Sequence, residues 1–165
     1  MIKELLGNKP DLSLDNFSLN TMDWLKENIE EPDEFEKYYI PSKIYLDLGE
    51  YKNTLKCLEK LLHKAEKIGE QYWKASALCN IGRINTIQGN YSKALKYYEE
   101  ALEIDEQQNN LEEKATDLNN IGRIYHNQSE YKKALRFYKK AFQIDVRLKD
   151  SQGKVIRVIL RDKSI

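Results

Sequence analysis

Cysteine is scarce in this chain, and so are glycine and long apolar runs. Cys57 and Cys79 are too few for a disulfide framework and form no Cys-x-x-Cys pair, so we interpret them as reduced, half-buried thiols of a cytoplasmic protein. The seven glycines are dispersed singly, which excludes a phosphate-binding glycine loop. The N-terminal residues lack the apolar core of a signal peptide, and Arg157 interrupts the densest apolar cluster, residues 155–160. We therefore expect neither export nor a membrane span.

Neither sign of charge is in excess, because 27 basic and 27 acidic side chains cancel. No global field therefore favours nucleic acid or an anionic membrane as a partner. Histidine is scarce as well, and neither His63 nor His126 has a second ligand at metal-binding spacing on the same helix. No other constellation of catalytic side chains is evident. We therefore expect no metal, no cofactor and no enzyme activity.

What the chain does contain is an internal repeat. A shift of 40 positions matches residues 75–114 with residues 115–154 at 17 of 40 sites. Chance matching at roughly 6 or 7 per cent would give about two or three, so the duplication sets the fold prediction. A second shift of the same length finds a weaker earlier copy. Its aligned positions are Ile44, Gly49, Tyr51, Leu55 and Leu62.

The apolar spacing within each copy predicts two helices. Leu118, Ile121, Gly122 and Tyr125 lie at i, i+3, i+4 and i+7, which is the spacing of one helix face. Between the helices stands Gly89-Asn90, where glycine allows a left-handed end and asparagine is expected to cap the amides of the next helix. The other copies place Leu48-Gly49-Glu50 and Gln128-Ser129-Glu130 in the same slot.

Small residues recur in register on both helices of a copy. Gly82 and Gly122 are expected to let the paired helix approach closely, and larger side chains there should overpack the contact. The alanines expected to meet them from the second helix are Ala94, Ala101, Ala134 and Ala141.

These motifs together resemble the tetratricopeptide repeat. The order is apolar-x-x-apolar-Gly-x-x-Tyr, then Gly-Asn-Tyr, then Ala-Leu-x-x-Tyr/Phe-x-x-x-Ala, and it covers about 120 of the 165 residues. The 40-residue period is similar to the long-helix form in kinesin light chains, cell-polarity adaptors and bacterial peptide-sensing regulators. The resemblance implies an all-α fold, a right-handed α-solenoid of antiparallel helix pairs. The first copy departs most from the pattern, and its first helix is expected to be shortened or kinked at Pro41.

The repeat also predicts the domain organisation. Residues 1–33 precede it and contain one amphipathic helix, which we expect to cover the first copy as a cap. Residues 34–154 hold three helical hairpins, at about 35–74, 75–114 and 115–154. Residues 155–165 are either the start of an incomplete fourth repeat or a C-terminal capping helix.

A stack of such hairpins lines its concave wall with one face of every first helix. We call this predicted surface the groove face; its residues are Lys43, Ser76, Cys79, Asn80, Arg83, Thr116, Asn119, Asn120, Arg123 and Asn127. An asparagine amide can both donate to and accept from an extended peptide backbone, and arginine presents a planar fork to a carboxylate. The groove face therefore predicts capture of a peptide or protein partner.

The resemblance also bears on the chemistry of that partner. Some members of the tetratricopeptide family, the chaperone-binding cofactors, hold a C-terminal carboxylate with lysine and asparagine on this face. Here Cys79 and Asn119 stand where a lysine would be needed. We therefore expect an acidic or main-chain-gripped segment and not a chaperone tail. The alternative is that Asn80 and Asn120 only bond neighbouring helices and that the arginines pair with nearby carboxylates.

The C-terminal end carries a second functional hypothesis. Repeat arrays normally finish with a polar outer face, yet this end is apolar at Val155, Ile156, Val158, Ile159 and Leu160. An uncovered apolar end favours self-association, as in a sensor or oligomerisation module of a signalling protein. The alternative is a terminal helix that folds onto the third copy.

Overall fold

The computed structural model describes the backbone of residues 33–162 and the side chains of residues 33–149. This part of the chain holds six helices and no strand, so the predicted all-α fold is confirmed. They are α1 (Glu36–Asp47), α2 (Tyr51–Ile68), α3 (Gln71–Ile87), α4 (Tyr91–Gln107), α5 (Leu111–Asn127) and α6 (Tyr131–Asp162).

Consecutive helices pack against each other along the whole array, and α3 also touches α5. Tight turns join them, so the helices run antiparallel in pairs: α1 with α2, α3 with α4, and α5 with α6. Helix starts recur every 40 residues, at Gln71 and Leu111 for first helices. These starts lie ahead of residues 75 and 115, where the sequence comparison set its copy boundaries. The array is the expected α-solenoid, with apolar side chains buried between successive helices.

The turn inside each hairpin has a residue with positive φ at the same position of every copy. Gly49, Gly89 and Ser129 have φ of 78°, 76° and 62°, so the slot inferred from Gly89 is confirmed, even where serine occupies it. The capping role expected of Asn90 is wrong, because its side chain makes no cap hydrogen bond to the helix. Its backbone N–H instead donates to the carbonyl of Asn85 at 2.8 Å, which closes the turn.

Glycine in the first helix of a hairpin makes room for a tyrosine ring. A Cβ added at Gly82 would lie 3.0 Å from the Tyr98 ring, and one at Gly122 would lie 2.7 Å from the Tyr138 ring. The close partner is therefore this ring and not the alanines expected there, although all four are buried. In the first hairpin the same two positions carry Ser42 and Leu58, both buried. The first hairpin thus has the larger serine at the glycine position and the smaller leucine at the tyrosine position.

Helix α1 is the short helix of the set, with 12 residues against 18 in its partner α2. It contains Pro41 at a buried position. Because proline lacks an N–H, it cannot donate the helical hydrogen bond from this position. The shortening expected for this helix is observed, whereas the predicted N-terminal capping helix lies outside the described residues.

Helix α6 runs without a break for 32 residues, from Tyr131 to Asp162. The apolar cluster at residues 155–160 therefore continues the last helix of the third hairpin, and no turn separates it as the first helix of a fourth copy. The side chains of this cluster lie beyond residue 149, so their proposed role in self-association stays a prediction.

Candidate functional site

The residues of the groove face lie on the first helices of the three hairpins. Lys43 lies on α1, and the remaining nine are divided between α3 and α5. Five of them have exposed side chains: Arg83, Thr116, Asn119, Arg123 and Asn127. Exposed polar groups on adjacent first helices are the arrangement that a peptide site needs, and whether they bind a peptide stays a prediction.

Polar contacts join α3 to α5 at the centre of this face. The side-chain amide of Asn120 donates to the Sγ atom of Cys79 at 3.6 Å. Arg123 Nη2 in turn donates to Asn120 Oδ1 at 3.1 Å. Three of the predicted residues from two hairpins therefore form one connected group, which fixes the orientation of the Asn120 amide.

Other groove residues are held within their own helix. Asn80 Nδ2 donates to the carbonyl of Ser76 at 2.8 Å, and Thr116 Oγ1 donates to the carbonyl of Glu112 at 3.2 Å. Lys43 lies over the ring of Tyr39, with Nζ 5.2 Å from its centroid. The structure therefore does not connect these three to the Cys79–Asn120–Arg123 group. Within residues 33–149, Arg83 has no ion-pair or hydrogen-bond partner for its guanidinium.

A small pocket opens beside this group where α3, α4 and α5 meet. We call it the acid pocket; its lining residues are Tyr72, Ala75, Ser76, Cys79, Asp105 and Glu113. Sequence reasoning placed Ser76 and Cys79 on the groove face but did not identify Asp105 or Glu113. Two acidic side chains from different helices therefore adjoin the predicted peptide surface.

Behind the pocket lies a second aspartate, and the two form what we call the acid pair. Asp105 on α4 is 4% exposed and Asp117 on α5 is 1% exposed. Asn110 Nδ2 donates to Asp105 Oδ1 at 3.3 Å. In the described part of the chain, Asp117 Oδ2 is buried without any hydrogen-bond partner. Buried carboxylates normally have such partners, so this atom requires a physical explanation.

Both carboxyl groups of the acid pair hold their protons more tightly than usual. Burial is the main cause, and it raises the pKa of Asp117 to about 8 and that of Asp105 to about 6. The Cys79 thiol opposes this by donating to Asp117, whereas the charges of Asp105 and Glu113 raise the pKa of Asp117 further. Once protonated, Asp117 can donate to the Asp105 carboxylate, so the pair shares a proton near neutral pH.

The repeat itself contains a signal that could have identified the acid pair. One period earlier, Asp105 and Asp117 correspond to Ala65 and Ala77, and both alanines have no exposed surface. An aspartate at a position where another copy buries alanine indicates a buried carboxyl group. Asp105 and Asp117 lie on different helices, so no spacing within one helix reveals the pair. The replacement of alanine by aspartate is visible only when the copies are compared position by position.

Two other kinds of feature are absent from the described residues, a metal site and a membrane-spanning helix. These residues contain no group of three or more histidine, cysteine, aspartate or glutamate side chains placed to hold a metal ion. In the same part of the chain, no helix combines the length and apolar character needed to cross a membrane.

Solved structures with the same architecture include proteins from several systems. Aspartyl phosphate phosphatase F from Bacillus subtilis matches with a TM-score of 0.69 and 21% identity, over 82% of this chain and 37% of that one. The apo form of RapI matches with a TM-score of 0.69 and 22% identity, over 86% of this chain and 53% of that one. BtubC from P. vanneervenii matches with a TM-score of 0.65 and 19% identity, over 81% of this chain and 56% of that one. These likenesses show a shared fold, and this chain spans about a third to a half of the first two.

Comparison with curated protein sequences returned no match. Family models do match, and both that match describe the same repeat: one covers residues 42–107 and the other residues 115–146. Together they cover more than half of the chain and all three hairpins, in agreement with the helical pairs observed. The chain therefore belongs to the tetratricopeptide repeat family, whose stacked hairpins are scaffolds for interaction with other proteins.

Proposed function

We propose that the chain is a non-catalytic scaffold that binds a peptide segment of a partner protein along the groove face. The observation that carries the proposal is the contact between Asn120 and Cys79. It links the first helices of the second and third hairpins, so their exposed polar side chains form one continuous surface. Such a surface can satisfy the backbone N–H and C=O groups of an extended peptide.

Arg83 and Arg123 give this surface its preference for a partner. Both are exposed, and Arg83 is free of carboxylate partners within residues 33–149. A guanidinium in that state can bind a carboxylate or a main-chain carbonyl of an incoming segment. The partner segment is therefore proposed to carry acidic or main-chain acceptors opposite the arginines.

The experiment compares the Asn120→Ala/Arg123→Ala variant with the unchanged chain. A partner is first selected from cell lysate by mass spectrometry or from a library of soluble peptides, and its affinity is then titrated by fluorescence anisotropy. We expect the variant to lose at least about tenfold in affinity, since two hydrogen-bonding groups of about 1 kcal/mol each are removed. Circular dichroism should show unchanged helicity.

A matched control removes two exposed side chains from a second helix. Lys96→Ala/Glu99→Ala changes two exposed positions of α4 and should bind the selected partner as well as the unchanged chain does. Equal loss in both variants, or equal binding in all three proteins, would show that the groove face is not the site.

The phosphatase activity in the name of the Bacillus subtilis protein is not carried over to this chain. The match rests on 21% identity and 37% of that protein's length, which supports a shared architecture. A scaffold without chemistry is proposed instead, because the groove face presents amides and guanidinium groups and no activated nucleophile.

A specific observation favours a second function, self-association through α6. Leu135 and Phe142 are 53% and 67% exposed. Their equivalents on α4, Leu95 and Leu102, are partly buried by residues of α5. The outer face of α6 thus has the apolar character of a face that another helix covers, and we propose a second copy of this chain as its occupant.

Light scattering tests this second function directly. The unchanged chain should show a concentration-dependent dimer, and Leu135→Glu/Phe142→Glu should be monomeric, because a charge on each face opposes burial. Leu48→Glu, an exposed apolar position on the first hairpin, is the control and should leave the dimer intact. A monomer at all concentrations would exclude self-association.

A further inference from the structure

The acid pair is buried without a cationic partner. The charge of Glu113 raises the pKa of both aspartates, that of Asp105 raises the pKa of Asp117, and no lysine or arginine contributes to the electrostatics of either aspartate. Lys114 is a nearby base by sequence, but its ammonium pairs with Glu106 at 2.9 Å. Burying charge without a cationic partner is unfavourable, so a cation bound here would stabilise the negative charge that remains on the pair.

The pair is accessible to such a group through the acid pocket. Asp105 lines the pocket directly, and Cys79 lines it while donating to Asp117 behind. Asp117 lies behind these two lining residues, 1% exposed, and its Oδ2 atom has no hydrogen-bond partner in the described part of the chain. The outer end has the exposed ring of Tyr72 and the carboxylate of Glu113. An aromatic face and carboxylates around one opening are the surroundings that a guanidinium or an ammonium group prefers.

We propose that the acid pocket binds one cationic side chain, an arginine or a lysine, of the peptide that occupies the groove face. Asp105 and Glu113 would be its ion-pair partners, Tyr72 would contact it through its ring, and its charge would stabilise the negative charge that Asp105 shares with Asp117. This inference rests on the proposed function and adds a chemical requirement to it: the segment has a basic residue at the position that faces α3 and the start of α5.

A metal ion is the other cation that carboxylates attract, and the geometry does not favour it. Within the described residues no three carboxylate, thiol or imidazole groups are placed to share one ion, whereas calcium and magnesium need six or more oxygen ligands. A planar or tetrahedral organic cation requires fewer contacts and uses the Tyr72 ring, which offers no ligand to a metal.

The experiment uses acetyl-arginine methylamide as the probe and follows backbone amide signals by NMR during titration of the full chain. Saturable shifts are expected at residues 72–79 and near Asp105 and Glu113. Acetyl-citrulline methylamide has the same shape without the charge and should bind at least tenfold more weakly. The same titration with acetyl-glutamate methylamide should give no saturable shift at these residues.

Two variants assign the binding to the acid pair. Asp105→Asn/Asp117→Asn keeps the side-chain shapes and should weaken arginine binding at least tenfold. Glu99→Gln/Glu112→Gln converts the same number of carboxyl groups to amides at exposed positions outside the pocket and should leave binding unchanged. A melting curve confirms that both variants fold; if the first does not, Glu113→Gln provides the test, with an expected loss of at least threefold.

The outcomes separate this proposal from the proposed function. The small probe has no peptide segment to lie along the groove, so Asn120→Ala/Arg123→Ala should still bind it while losing the peptide. No saturable shift with the arginine probe, equal binding of the citrulline probe, or equal weakening in both charge variants would each overturn the cation pocket. None of these results would bear on whether the groove face binds a peptide.

Discussion

Two interfaces join the three hairpins, and equivalent positions in them carry opposite chemistry. Between the first and second hairpins, Ala65 on α2 and Ala77 on α3 are fully buried, and Ala77 belongs to an apolar cluster with Leu46, Leu58 and Ile81 among others. Between the second and third hairpins, the same positions are Asp105 and Asp117. One interface is closed by methyl groups, and the other contains two carboxyl groups that share a proton.

The charged residues around the two interfaces do not explain the difference. At the first, Lys74 Nζ lies 3.0 Å from Glu100 and 3.6 Å from Glu66. At the second, the equivalent Lys114 lies 2.9 Å from Glu106. Each lysine thus pairs with surface glutamates, and neither compensates a buried carboxyl group. Surface ion pairs of this kind contribute little to stability.

The acid pair is not a requirement of the fold. The first interface shows that two alanines can close the same junction, so the second interface gives up stability to hold two carboxyl groups. A local departure from good packing and pairing is characteristic of functional sites. A ligand-binding pocket is therefore expected at the second interface and not at the first.

The largest effect is expected from placing an acid in the first interface. Ala77→Asp should lower the free energy of unfolding by about 3 kcal/mol or more, because a lone carboxyl group would be buried among leucines and isoleucines without a partner. Urea denaturation monitored by circular dichroism measures the change.

Gln143→Asp, at an exposed position of α6, is the control for an added charge and should change stability by less than about 0.5 kcal/mol. If Ala77→Asp proved equally harmless, the first interface would tolerate acids as well as the second does, and the contrast between them would lose its meaning.

The next effect is the reverse change at the second interface. Asp105→Ala/Asp117→Ala recreates the Ala65–Ala77 arrangement and should raise the free energy of unfolding at pH 8 by about 1–3 kcal/mol, since it removes buried carboxyl groups that are charged at this pH and have no cationic partner. The gain should be accompanied by loss of arginine binding, so stability and binding would move in opposite directions.

The gain from this double change should depend on pH in a defined direction. The folded chain raises the pKa of Asp117 to about 8 and of Asp105 to about 6, so between about pH 4 and pH 8 it binds more protons than the unfolded chain. The stability of the unchanged protein therefore falls as pH rises through this window. The advantage of the alanine variant should be small near pH 4 and full at pH 8; a variant less stable at pH 8 would mean that the pair is a stabilising element.

How much of this was predictable depends on the kind of contact. Helix pairs, the turn slot at Gly89 and the crowded position of Gly82 follow from local spacing. The structure agrees with each, because the repeat contains the helix pair and the turn slot three times and the crowded glycine twice. The partner of Gly82 was expected among alanines and is the Tyr98 ring. Which side chain of the second helix contacts the first helix depends on side-chain length and direction, and sequence spacing alone does not define these.

The site was harder to predict than the fold for a related reason. The groove face was derived from helical phase, but phase does not reveal that Asn80 donates to its own helix while Asn120 reaches Cys79. Helical phase also did not place Asp105 and Glu113 at one pocket, which both of them line. Such contacts arise between hairpins, where the offset of one helix against the next decides which side chains meet.

The smallest effect distinguishes the turns that lead into the two interfaces. The first turn has Gly69 with φ of 84°, and the second has Asn109 with φ of 55°. Because a Cβ atom disfavours this left-handed region, Asn109→Gly should stabilise the chain, and Gly69→Asn should destabilise it, each by roughly 0.5 kcal/mol. Thermal unfolding of both variants beside the unchanged chain measures these shifts. Asparagine adopts the left-handed region more readily than most residues, and both substitutions are confined to their turns. Neither change should therefore alter arginine binding at the acid pocket. A loss of binding in Asn109→Gly would show that the turn positions Asp105, through the hydrogen bond from the neighbouring Asn110.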